Sequence, residues 1–311
     1  MFGSSPVRAR HVSAAVVTLA VSLALCAGAV PVAAADDGAD PARPVDIGGR
    51  RVLLDCRGSG SPTVVLVSGA GGASDEWTHV VDAARPEAEP KPDPSAVLTE
   101  VARFTRVCAY DRPGTTRLDG SPNRSTPVTQ PTTAAAGVED LRATLASAGE
   151  HPPYVLVGAS WGAMIASLYA RTEPARTAGL VTVDGASPFL KDTLTPAQWE
   201  TWMGKIRAMD PGKGLEAPDY PGAVGELRAA PAPPRGLPAV VLTSDRPWDL
   251  AVGGGSTWPA WPAAQRLLAE ELRARHVTDT DSGHGIAVER PRLVARAIRD
   301  VVEQARAGQE G

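Results

Sequence analysis

Residues 154–171 read YVLVGASWGAMIASLYAR, and this stretch decides the fold. Tyr154 to Gly158 is an unbroken, mostly apolar run of strand length. Ser160 turns the chain, and Trp161 to Arg171, rich in small residues, reads as a helix. A strand passing straight into a helix is part of a β–α repeat, so the flanking segments are expected to alternate in the same way.

They do. Upstream, Arg51 to Cys56 is a short strand that ends at Gly58-Ser59-Gly60. Thr63 to Ser68 (TVVLVS) is a β-branched run suited to a strand buried on both faces, and Gly69 to Gly72 follows as a loop. Residues 36–44 read as a flexible lead-in, and the proline-rich residues 85–94 as a surface insertion. Ala96 to Arg103 predicts a short helix. Arg106 to Tyr110 predicts a strand, stopped by the turn Asp111-Arg112-Pro113-Gly114. Thr132 to Ala148 is a helix with Val138, Leu141 and Leu145 at helical spacing. Downstream, Leu180 to Asp184 and Ala239 to Thr243 are strands, Pro262 to Ala274 a helix, His276 to Thr280 a last strand, and Arg290 to Ala305 a closing amphipathic helix. The alternation implies an α/β fold with a mostly parallel central sheet flanked by helices.

Residues 187–236 break the rhythm. Structureless loops of that length are rare in compact domains, so the segment is read as a cap inserted over the carboxyl edge of the sheet. Thr195 to Met209 is predicted helical. It places Trp199 and Trp202 either on the seam between cap and body or on the wall of a substrate pocket.

The chain has 311 residues, 43% hydrophobic and 21% charged, with a formal charge of −4. That composition argues against disorder. The absence of a basic run gives no electrostatic reason to bind nucleic acid. At the start, Arg8 and Arg10 precede an apolar stretch from Val12 to Val30 and then Ala33-Ala34-Ala35, the pattern of a secretory signal peptide over residues 1–35. An uncleaved anchor is the rival, and a lipid on Cys26 a minor one. Cleavage removes two arginines and no acids, which takes the charge from −4 to −6. No second long apolar run follows, so a soluble, secreted protein of residues 36–311 is expected, with no membrane span after cleavage. Cys56 and Cys108 then remain. An exported pair invites a disulfide, and two buried thiols are the alternative.

Gly158-Ala159-Ser160-Trp161-Gly162 has the form G-x-S-x-G between a strand and a helix, the setting in which this motif lifts a serine hydroxyl into a cleft. The alternative is a glycine-rich turn with an unreactive serine. A serine hydroxyl needs a base to take its proton. Of His79, His151, His276 and His284, only His284 stands in a glycine-flanked loop between the last strand and the last helix. The third member of such a site is an acid that orients the imidazole. Asp184, at a strand end, is the first candidate, with Asp249 and Asp245 behind it. A capping aspartate with only local hydrogen bonds is the plain reading of each. Donors for an oxyanion are expected from the backbone N–H groups of Trp161 and of Ala70 in the Ser68–Gly72 loop. No metal or cofactor is expected, since no H-E-x-x-H or Cys-x-x-Cys cluster occurs.

These motifs together resemble the α/β-hydrolase superfamily over nearly all of residues 44–307. The likeness rests on SGAGG (68–72), YDRPG (110–114), GASWG (158–162), the Val183-Asp184 strand end, and SGHG (282–285) followed by Glu289-Arg290-Pro291. It implies that the second strand lies beside the fourth, which would place Cys56 next to Cys108 as a disulfide. Two departures stand out. Ser68 occupies a position that is often histidine, and Pro247 stands where the family usually carries its acid. Some members carry the acid after the preceding strand, a second reason to favour Asp184.

The reaction expected is two-step acyl transfer on a small-molecule carboxylic ester. Trp161, Trp199, Trp202, Trp248, Trp258 and Trp261 favour an apolar acyl or alcohol group. A peptidase or amidase with the same residues is the alternative. A non-catalytic binding protein on the same fold is a further one.

Overall fold

The computed structural model describes residues 40–85, 87–208, 215–248 and 257–308. The leader expected at residues 1–35 and the candidate acid Asp249 lie outside the described residues.

β-branched and aliphatic runs form the strands of one eight-stranded sheet. They are β1 (Asp40–Asp46), β2 (Arg51–Arg57), β3 (Thr63–Val67), β4 (Val107–Asp111), β5 (Tyr154–Ala159), β6 (Thr177–Val183), β7 (Ala239–Leu242) and β8 (Arg275–Val277). Their order across the sheet is β1-β2-β4-β3-β5-β6-β7-β8. β2 runs antiparallel to both β1 and β4, and all other pairings are parallel. Helices are α1 (Val97–Ala102), α2 (Ala134–Ala148), α3 (Trp161–Thr172), α4 (Leu190–Thr193), α5 (Pro196–Ala208), α6 (Tyr220–Ala229), α7 (Ala260–Leu272), α8 (Ile286–Glu289) and α9 (Pro291–Ala307).

The period-2 alternation of side chains splits the central strands between two cores. Val64 and Leu66 of β3 pack with α1 and α9 on one face, and Val65 and Val67 pack on the other face with Leu141 of α2 and Met164 of α3. Both faces are covered, which is why these strands read as continuous apolar runs. α2 starts where the Thr133 hydroxyl accepts the Ala136 N–H, and it ends at Gly149 in the left-handed region, φ 79°, as cap preferences require.

Between β6 and β7 the described residues carry the helices α4, α5 and α6. α5 buries Trp199, Trp202, Met203 and Ile206 on one face at helical spacing. The reading of residues 36–44 as a flexible lead-in needs correction, since Asp40–Asp46 is the edge strand β1. Its prolines pointed away from a strand, but an edge strand leaves one row of N–H groups unused and tolerates them.

The register sets Cys56 of β2 directly opposite Cys108 of β4, and the two form a disulfide with Cα atoms 4.0 Å apart. Among the described residues, no helix is long and apolar enough to cross a membrane.

Candidate active site

The parallel strands end together at one edge of the sheet, and the loops that leave them there build the site. At the end of β5, Ser160 takes φ 46° and ψ −118°, a conformation costly for a residue with a Cβ. The glycines on either side permit this bend. A Cβ on Gly158 would stand 2.5 Å from the Ala163 Cα, and one on Gly162 would stand 2.1 Å from the Val67 carbonyl oxygen. The bend is held by the Ser160 carbonyl, which accepts the N–H groups of Ala163 (3.0 Å) and Ala186 (2.8 Å). α3 begins at Trp161, so the Trp161 N–H, next in the chain to Ser160, has no acceptor within the helix.

Asp184 follows β6, also at positive φ (44°), and is fully buried. Its Oδ2 lies 2.7 Å from Nδ1 of His284. Its Oδ1 accepts three donors at 2.9 Å: the Ser244 N–H, the Ser244 hydroxyl and the Trp261 indole N–H. The imidazole of His284 stacks on Trp248 (centroids 3.9 Å apart, 27° between planes) and meets Trp261 edge-on (5.5 Å, 85°). Both its hydrogen bond and its ring plane are therefore fixed.

Asp245 has a different place. Its oxygens accept the N–H groups of Asp281 (3.0 Å) and Ser282 (2.9 Å). Burial pushes its carboxyl up, but these N–H bonds outweigh that and hold the pKa below the usual range. It braces the loop that carries His284 and does not bond the imidazole, the role foreseen for a capping aspartate.

The loop after β3 passes over Ser160. A Cβ on Gly69 would stand 3.3 Å from the Ser160 Cβ, and Ala70 lines the same cleft. Ser68 is fully buried; its hydroxyl accepts the Trp77 indole N–H (2.9 Å) and donates to the Ala73 carbonyl (3.0 Å). Arg112, from the YDRPG turn, donates to the carbonyls of Ser68 (2.9 Å) and Gly69 (2.6 Å). The same guanidinium pairs with Glu216, which reaches in from the segment before α6 and accepts the Gly71 N–H at 2.7 Å. Glu76 accepts the Gly69 N–H at 3.3 Å. Tyr220, at the start of α6, directs its phenol at the Ser160 hydroxyl, and burial raises that phenol's pKa far above its ordinary value.

Ser160, His284, Ala70, Glu76, Trp202, Tyr220, Trp248 and Trp261 line one cleft of about 390 Å³. Trp199 does not line it. It packs on Trp202 at 5.6 Å, because α5 turns only one of the pair toward the cleft. Trp161 instead lines a second cavity of about 400 Å³, where Arg50 pairs with Asp140 and Arg112 with Glu216. Trp258 is not among the residues lining the main cleft either. Sequence reasoning missed Glu76, Glu216, Tyr220 and Ser244 and assigned Arg112 no role. Only Arg112 had a signal, its place in YDRPG. The others are brought in by tertiary contacts from distant segments.

The sequence pattern of the Alpha/beta hydrolase family matches residues 64–297. No curated protein matches the chain by sequence. Among solved structures, the chain resembles a putative lipase from Acinetobacter baumannii AYE (18% identity, 86% of this chain and 92% of that one, TM-score 0.53). It also resembles a thermophilic esterase from Thermogutta terrifontis (19%, 85% and 99%, TM-score 0.53). A haloalkane dehalogenase from Agrobacterium tumefaciens C58 aligns similarly (15%, 85% and 98%, TM-score 0.51). At these identities the likeness is one of fold.

Proposed function

The chain belongs to the alpha/beta hydrolase family, and from that premise we propose that it is a serine hydrolase acting on carboxylic esters. The observation that carries the reading is the 2.7 Å contact between His284 Nδ1 and Asp184 Oδ2, on a ring that shares a cleft with Ser160. With Nδ1 engaged, Nε2 is the nitrogen left for proton traffic. In this reading Ser160 attacks the ester carbonyl as His284 takes its proton, and buried Asp184 stabilises the resulting imidazolium. The N–H groups of Ala70 and Trp161 hold the oxyanion. His284 then protonates the leaving alcohol, and water releases the acyl group by the same steps in reverse. In this reading segment 187–236 acts as a cap, whose helices α5 and α6 contribute Trp202 and Tyr220 to the cleft.

We read the protein as exported after removal of residues 1–35. The disulfide supports this, since such bonds persist in oxidising compartments.

The test is labelling by a fluorophosphonate together with a chain-length panel of p-nitrophenyl esters and matching amides, with Ser160→Ala as control. Labelling and ester turnover that both vanish in Ser160→Ala are expected. Preference for the amides would replace esterase by amidase, and an unlabelled wild type would remove the serine mechanism.

A further inference from the structure

Glu76 sits in the wall of the cleft beside the residues proposed for chemistry. It and Ser160 flank Gly69: a Cβ there would stand 3.9 Å from Glu76 Oε2 and 3.3 Å from the Ser160 Cβ. Among the described residues it forms no ion pair, and the nearby charge of Arg112 is engaged by Glu216. The lining contains no lysine or arginine and no second acid. Burial pushes its carboxyl up to about 7, against the opposing pull of the Gly69 N–H and Arg112. An unpaired carboxyl in an apolar wall costs stability, and such costs concentrate where a ligand offsets them.

The rest of the wall suggests which ligand. Trp202, Tyr220, Trp248 and Trp261 line the cleft with Glu76. Aromatic faces attract cations and most of all those that are weakly hydrated. We propose that this cleft contains a subsite for an ammonium group, with Glu76 as counter-charge and the aromatic side chains as walls, so that the preferred ester carries a tertiary or quaternary amine a short spacer from its carbonyl.

The substrate form of this inference rests on the ester-hydrolase reading, and the subsite itself is tested by binding. Wild-type protein and Glu76→Gln are titrated with tetramethylammonium chloride, followed by tryptophan fluorescence, with sodium chloride at matched ionic strength as control. In parallel both hydrolyse 2-(trimethylammonio)ethyl butyrate and its neutral isostere, 3,3-dimethylbutyl butyrate. Glutamine has the same shape and still accepts the Gly69 N–H. Expected are saturable tetramethylammonium binding that weakens about tenfold in the variant, and a charged-to-neutral ratio of kcat/KM above about ten that falls toward one. Failure of the wild type to bind tetramethylammonium overturns the subsite without use of the variant. Binding and a ratio that are unaltered by Glu76→Gln overturn the role of Glu76. Fluorophosphonate labelling separates the two readings. Ammonium binding on an unlabelled protein keeps the subsite and removes the hydrolase, and a labelled protein without ammonium binding does the reverse.

Discussion

Arg112 and Glu216 stand 104 positions apart in the chain and form a buried ion pair, Nε to Oε1 at 2.6 Å. Between them they hold three residues of the loop over Ser160 and so bracket Ala70: Arg112 bonds the Ser68 and Gly69 carbonyls, and Glu216 takes the Gly71 N–H. The proposed oxyanion donor is thus positioned from both sides, by the body of the fold and by the segment before α6.

Glu216→Ala leaves a buried guanidinium without its partner, which costs about 3–5 kcal/mol. Chemical denaturation is expected to show this loss. Glu216→Gln, which keeps an acceptor for Gly71, should lose less stability but lower kcat more than it raises KM. An unchanged kcat in a folded Glu216→Gln protein would separate the clamp from catalysis.

Asp184→Asn should lower kcat by about 10⁴-fold, because the amide no longer favours the productive tautomer and cannot stabilise the imidazolium. Asp245→Asn should cost much less, since that residue bonds backbone N–H groups of the loop and not the ring. Kinetics that survive Asp184→Asn and collapse in Asp249→Asn would move the acid to the latter.

Trp261→Phe removes one of the three donors to Asp184 Oδ1 and retains an aromatic edge near His284. The loss of one hydrogen bond to a charged group, about 1.5–3 kcal/mol, should appear mainly in kcat. A change confined to KM would show that Trp261 serves the substrate and not the imidazole.

Glu76 makes stability depend on pH. Its carboxyl is raised from the usual 4.5 to about 7 by burial, with Asp75 adding to the rise and the Gly69 N–H and Arg112 opposing it. The folded protein therefore binds this proton more tightly than the unfolded chain. Its contribution is fully present below about pH 4.5 and is lost as pH rises through about 7. Glu76→Gln should flatten the fall, gaining up to roughly 3 kcal/mol on wild type at pH 8 relative to pH 4. Denaturation of both proteins across that range checks it. Parallel curves would mean that the Glu76 carboxyl holds its proton equally well in the folded and unfolded protein.

The Cys56–Cys108 bridge spans 52 positions. Replacing both cysteines by serine should lower stability by about 2–4 kcal/mol through the wider freedom of the unfolded chain. Thermal unfolding with and without reductant should show the same loss in the wild type, and no effect of reductant on the double variant.

The α/β architecture was readable from the sequence because the signals are local. Apolar runs, helical spacing and the glycines around Ser160 act within a few residues of one another, so strands β3 to β7 and helices α2, α3 and α9 emerge near their places. Ser160, His284 and Asp184 could be named as candidates for the same reason, since each stands at the end of a recognisable element. What tertiary structure alone decided is which of these groups meet. Asp184 and Asp245 both follow strands at the same edge, and only the folded chain turns one toward His284 and the other toward the Asp281 and Ser282 N–H groups. Glu216, Tyr220 and Glu76 lie in segments with no periodic or motif signal. They reach the cleft because packing brings distant parts of the chain together, and hydrogen bonds and charges act through space over a few ångströms with no regard to separation along the chain.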